Sequence, residues 1–201
     1  MFKSIASFFK TKVNAAIENA LTPEDVYRDA SRQLIGEIDR LRHASITTKR
    51  EIVTVESNIQ KHLRLQKQKE KEIIAISRSG ADVSKSHVVL ALQHKNIVEG
   101  LTAKREEMIG VNVQIAESVV ELSAKLEDVK LNLDIIRLNS ETSKLGLSVA
   151  EDVVAAAAHV SVNVDTLVTK VDVLLGGGAG DMTKVTSFDV DEYLKTLKAQ
   201  A

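Results

Sequence analysis

An all-α fold is predicted for this chain, on three observations. Its 201 residues hold a single proline, Pro23. Aromatic residues make up only 3% of it, against 44% hydrophobic and 27% charged residues. Two apolar registers with heptad spacing run through most of its length. Proline breaks helices, rings supply the bulk of globular cores, and a heptad period marks helices that pair along a seam. Together these features describe long helices with thin apolar seams. The expected order is an N-terminal amphipathic helix, a long antiparallel coiled-coil hairpin, and further C-terminal helices.

The first element is Met1 to Leu21. At about 100° per residue, Phe2, Ile5, Phe9, Val13 and Ile17 fall on one face with Ala6, Ala16 and Ala20, and Phe8 extends its edge. Ser4, Ser7, Thr11, Asn14 and Glu18 lie opposite. Lys3 and Lys10 flank the apolar face on one side and Lys12 on the other, and no acidic residue precedes Glu18. Three of the four phenylalanines lie in the first nine residues. Bulky apolar groups on one side, cations at the boundary and small polar groups behind form the pattern of a helix lying in a lipid interface. Phe2, Lys3, Ile5, Phe8, Phe9, Lys10, Lys12, Val13 and Ile17 are therefore the expected lipid-binding residues, with anionic lipid as their partner. The apolar residues here are spaced, with lysines among them, which does not fit a secretory signal.

Thr22-Pro23-Glu24-Asp25 then ends one helix and starts the next. Thr22 suits the N-cap, Pro23 the first helical position, and the two acids the helix dipole. One register follows through Tyr27, Ser31, Leu34, Ile38, Leu41, Ser45, Thr48, Ile52, Val55, Ile59, His62, Gln66, Lys69, Ile73 and Ile76, apolar at both ends and polar in the middle. Residues 77–86, with Gly80, read as a turn. The second register runs from His87 through Ala91, His94, Val98, Leu101, Arg105, Met108, Asn112, Ile115, Val119, Leu122, Leu126, Val129, Leu133 and Ile136 to Leu147. The hairpin thus occupies 23–147, and roughly fifty-five residues per arm give about 80 Å of helix. Such an arm leaves apolar edge uncovered, and a second copy is the simplest cover.

Gly146 is a candidate hinge. Residues 149–175 read as a Val/Ala-rich helix, 176–186 as a flexible glycine-rich linker, and 187–201 as a short amphipathic helix with Ser187 as candidate cap. Val190, Tyr193, Leu194 and Leu197 share a face of that last helix.

Several function classes are disfavoured. A formal net charge of −1 gives no global pointer to nucleic acid. Without cysteine there is no disulfide or thiolate metal site. The longest apolar run, Val153 to Val164, is too short to span a bilayer and holds His159 and Asn163. The glycine run lacks the Gly-Lys-Ser/Thr ending of a phosphate loop. His43, His62, His87, His94 and His159 show no His-x-x-x-His spacing, so no metal and no cofactor is expected; the seam histidines read as polar breaks that fix register. No Ser-His-Asp or paired-carboxylate arrangement argues for an enzyme. Lys61, Arg64, Lys67, Lys69 and Lys71, interrupted by Glu70, read as a solvated basic stretch spread around the helix. Its sharper reading is a contact with lipid, or with the acidic region around Glu117, Glu121, Glu127 and Asp128 of another copy.

Three stretches carry a family resemblance: Asn14-Ala15-Ala16-Ile17-Glu18-Asn19-Ala20-Leu21, then Pro23-Glu24-Asp25, then Gln33-Leu34-Ile35-Gly36-Glu37-Ile38-Asp39-Arg40-Leu41. With the Gly80 turn and the closing Glu192-Tyr193-Leu194-Lys195-Thr196-Leu197-Lys198, the chain resembles the phage-shock protein A family. That family includes the vesicle-inducing proteins of plastids and is related to ESCRT-III. Only the first ~45 positions are sequence-specific. The resemblance implies an ESCRT-III-like hairpin subunit forming rods, rings or carpets that remodel or protect stressed membranes. It implies a cytoplasmic protein, peripheral on the inner face of the plasma membrane, with an AAA+ protein as candidate partner. It also implies a last helix packing across a neighbour through Tyr193, Leu194 and Leu197. The alternative expectation is a soluble coiled-coil scaffold or adaptor whose first helix docks on protein. A membrane-inserting toxin would need a longer apolar hairpin than residues 149–175 provide.

Overall fold

Helix signals in the sequence translate into four α-helices in the computed structural model, which describes residues 22–145, 164–176 and 185–200. They are α1 (Pro23–Arg78), α2 (Lys85–Lys144), α3 (Val164–Gly176) and α4 (Ser187–Lys198). Among the described residues there is no strand, and the two long helices pack together, as the all-α expectation requires. The expected lipid-facing element, Met1 to Leu21, lies outside the described residues. So do residues 146–163 and 177–184, which held the first part of the expected 149–175 helix and most of the expected linker.

The helix ends are fixed by local chemistry. At the start of α1 the Thr22 hydroxyl accepts from the Asp25 backbone N–H at 3.2 Å. The Asp25 carboxylate accepts in return from the Thr22 N–H at 3.3 Å and its hydroxyl at 2.6 Å. This reciprocal capping box satisfies donors that the first helical turn leaves open. The same Thr22 bonds hold the Asp25 carboxyl below its usual range. At the other end of α1, Gly80 takes φ +75°, a left-handed conformation that side chains with a Cβ resist. There the Gly80 N–H reaches the Ser77 carbonyl at 3.2 Å, and Ser79 Oγ donates to the Ile76 carbonyl at 2.7 Å. The cap of α4 is Thr186, not Ser187 as its position suggested: Thr186 makes the capping box with Asp189. A threonine three residues before an acid outcompetes a serine whose third follower is Val190.

The chain forms two compact units. One comprises Met1–Ile46 with Asn112–Lys170, the other Thr47–Val111 with Val171–Ala201. In the first unit, Leu34, Ile38, Leu41, Ile115, Leu122 and Val129 are buried. These are register positions of both long helices, and full burial of each such side chain stabilises by about 1.5–3 kcal/mol. Glu24 accepts from Arg137 at 3.0 Å, and Ser45 Oγ donates to Asn112 Oδ1 at 2.7 Å, so α1 and α2 run antiparallel here. Asp165 at the start of α3 accepts from Arg40 at 3.0 Å. Val164 and Leu167 of α3 are buried beside it in sequence.

In the second unit, Val55, Ile59 and Met108 form one apolar cluster, with Leu174 and Leu175 of α3 packed against it. Ile73, Val88, Ala91, Leu92, Val190 and Leu197 form another, at the turn of the hairpin. Val88 and Leu92 lie off the predicted heptad seam. They are buried because α4 adds a third wall there, which a two-helix register does not anticipate.

Candidate functional site

The richest side-chain chemistry among the described residues lies in the second unit, where α4 crosses the hairpin tip. Its amphipathic spacing puts Val190 and Leu197 into the tip cluster, with Tyr193 and Leu194 packed against that cluster. Hydrogen bonds then fix its position. The Tyr193 hydroxyl donates to Glu70 of α1. Gln66 donates to the same Glu70 oxygen at 2.7 Å and lies 3.4 Å from the Tyr193 oxygen. Burial, aided by the bond to Glu70, pushes the Tyr193 phenol above its ordinary value, so it remains a neutral donor. Lys95 sits 5.6 Å over the Tyr193 ring, in cation–π range. Lys85 pairs with Asp191 at 3.7 Å, and Arg78 donates to the Gln200 carbonyl at 3.3 Å. Between α2 and α4 an open groove of 430 Å³ is lined by Leu92, Lys95, Asn96, Glu192, Tyr193 and Thr196, among others.

Tyr193, Leu194 and Leu197, expected on a neighbour, thus have partners within their own unit. Leu197 is 4% exposed. The same face serves a neighbouring copy only by exchange of α4 between chains, since its apolar side cannot cover two tips at once.

One turn further down the seam, His62 of α1 and His94 of α2 meet with their Nδ1 atoms 3.0 Å apart. One ring must donate and the other accept, so the accepting Nδ1 carries no proton and both rings cannot be charged together. Burial, followed by the neighbouring His62 ring and Lys69, holds His94 below its ordinary value of 6.5. An unfolded chain therefore takes up this proton more readily than the folded one. The contribution to stability is full above pH 6.5 and is lost as pH falls from there through the lower folded value. The denaturation midpoint of this unit should fall over that window, and His94→Asn should flatten the change. A midpoint with equal pH dependence in both proteins contradicts the assignment. His87 is half-buried near the turn, and its Nδ1 has no hydrogen-bond partner among the described residues. His43 is exposed, and His159 lies outside the described residues.

The basic stretch differs from its sequence expectation. Lys69, a position of the first register, is half-buried and pairs along its own helix with Glu72 at 2.7 Å. Lys61, Arg64, Lys67 and Lys71 are exposed and gather on one side of α1 rather than spreading around it. The capping boxes, the His62–His94 contact and the Glu70–Tyr193 bond were not foreseen. The first could have been found from the Thr-x-x-Asp spacing, the second from aligning the two registers antiparallel. The third had no sequence signal, because it depends on where α4 lands.

Among the described residues no group of three or more metal-ligating side chains could hold an ion, and no helix is long and apolar enough to cross a membrane. All nine expected lipid-binding residues, from Phe2 to Ile17, lie outside the described residues. Compared with protein-family models and with curated proteins, the chain matches none.

Proposed function

We propose that this chain is a peripheral membrane protein that assembles with copies of itself on a bilayer surface. Residues 1–21 bind the lipid, and the paired long helices are the building block. The single observation that carries this reading is the first segment's sequence. It places Phe2, Ile5, Phe9 and Val13 on one face with three lysines at its borders and no acid before Glu18. One such helix binds lipid reversibly, because each lysine near an anionic leaflet adds only about 1 kcal/mol and insertion is partial. Many helices presented by one assembly bind far more tightly.

Two long antiparallel helices, a tip crossed by a short helix and exposed apolar residues along α1 and α2 support a building block that packs against further copies. An ESCRT-III-like arrangement and kinship with the phage-shock protein A family belong to this proposal. So do a place on the cytoplasmic face of the plasma membrane and an AAA+ protein as the candidate partner that remodels the assembly.

Liposome flotation tests the lipid half of the reading. Full-length protein should float with vesicles containing anionic lipid and less with neutral ones, and deletion of residues 1–21 should leave it at the bottom of the gradient. Equal flotation with and without that segment would reject it as the lipid-binding element. Flotation of neither protein would favour a soluble scaffold.

A further inference from the structure

We propose that copies of this chain dock through two unlike faces, the basic outer side of α1 in the second unit and the acidic, apolar outer side of α2 in the first. The inference rests on the self-assembly proposed above and names the surfaces that carry it.

The basic face follows from helix geometry. Taking about 100° per residue, Lys49, Arg50, Lys61, Arg64, Lys67 and Lys71 fall within one arc of about 120° on α1. That arc is turned away from the seam residues Val55, Ile59 and Ile73, and all six cations are exposed. None of the six makes an ion pair with a described residue, and between Lys49 and Lys71 no carboxylate falls within the arc. Six like charges in one stripe repel one another, a cost that an acidic partner would reverse.

The other face is its chemical counterpart. On α2, Val113, Val120, Leu131 and Leu138 are 51%, 70%, 55% and 59% exposed. They line up on the side opposite Ile115, Leu122, Val129 and Leu133, which are buried. This is a second apolar stripe on a helix that already buries one, and in water it has no cover from any described residue. Exposed Glu117, Glu121, Glu127 and Asp128 flank it. From Val113 to Leu138 no lysine or arginine falls in its arc of about 120°. Lys and Arg stems can lie along such a stripe while their charged heads reach the flanking acids, so one basic face covers both the apolar and the acidic parts.

A contact between unlike faces leaves one free face at each end of a growing assembly. It therefore extends without closing, unless successive copies rotate into a ring. That is the property a rod, ring or carpet requires. Salt should weaken it, because exposed charges are screened beyond about 10 Å at 0.1 M ionic strength.

Charge reversal tests the pairing in a way that separates it from other uses of the two faces. One variant carries Glu117→Lys, Glu121→Lys and Asp128→Lys, and the other Arg64→Glu, Lys67→Glu and Lys71→Glu. These side chains are exposed, so both variants should keep the helical content of the wild type by circular dichroism. Assembly is read by sedimentation and electron microscopy of the full chain, in buffer and on vesicles with anionic lipid. Each variant alone should assemble roughly tenfold less than wild type. An equal mixture should recover, because the reversed α2 face of one variant matches the reversed α1 face of the other, and their unaltered faces match each other. A chain carrying all six changes should recover alone. Wild-type assembly in both single variants overturns the inference and leaves self-assembly standing. Loss in each variant without recovery in the mixture assigns the faces to lipid or to the chain's own residues 1–21, and also overturns it. A wild type that assembles under neither condition overturns the self-assembly reading itself.

Discussion

Phe8→Glu with Phe9→Glu is expected to lower vesicle binding by on the order of 100-fold. Burying one phenylalanine is worth about 1.5–3 kcal/mol when complete, and the sequence pattern puts Phe9 on the proposed lipid-binding face of the first segment with Phe8 at its edge. Partial insertion keeps less than the full value, but two new carboxylates oppose an anionic leaflet that the three lysines otherwise attract. The effect exceeds that of removing any one lysine. Quantitative flotation over a range of lipid concentrations measures it. A change within twofold would show that these rings face something other than lipid, with a protein surface the first alternative. The pair Ser4→Glu and Ser7→Glu on the opposite face is the control, and it should cost far less.

Ile73→Ala should destabilise the second unit by about 2–5 kcal/mol. Ile73 is fully buried in the cluster that joins α1, α2 and α4, with Val88, Ala91, Leu92, Val190 and Leu197 around it. Truncation leaves a cavity whose walls belong to three different helices, and such a site collapses poorly. Two consequences should be visible: a lower denaturation midpoint, and faster proteolysis next to α4 as its docking weakens. Ile35→Ala serves as control, because Ile35 is 43% exposed and its loss should change stability by under about 0.5 kcal/mol. Similar midpoints for the two variants would mean that the tip cluster does not hold α4.

The contrast between those two isoleucines shows how far the fold was legible in the sequence. Along the seam, heptad spacing reached much of the core: Leu34, Ile38, Leu41, Ile115, Leu122 and Val129 were read as seam positions and are buried, while Val119, Leu126 and Ile136, read the same way, are half-buried. Polar seam residues were legible too, since Ser45 meets Asn112 and His62 meets His94 as antiparallel registers require. What the spacing could not reach were contacts made by a third element. Val88 and Leu92 are buried by α4, and Glu70 is engaged by Tyr193 from a helix more than a hundred residues away. Nothing local to Glu70 signals that contact.

The candidate sites divide in the same way. Tyr193, Leu194 and Leu197 were legible as one apolar face, but which surface that face meets depends on tertiary placement. The basic stretch was visible as a run of charges. Its alignment on one side of α1 emerges once the seam fixes which side of the helix points outward. The acidic stripe of α2 was missed as an apolar surface because the helix carries two apolar sides. Once Val129 and Leu133 are assigned to the seam, Leu131 and Leu138 are left on the other side.

Under the function proposed above, this chain coats membranes as an assembly. Electron microscopy of full-length protein mixed with vesicles containing anionic lipid tests it most directly. Continuous rods, rings or carpets on the bilayer, absent when residues 1–21 are removed, are the predicted result. Bare vesicles beside discrete dimers or trimers in solution would contradict it and point to a soluble coiled-coil scaffold.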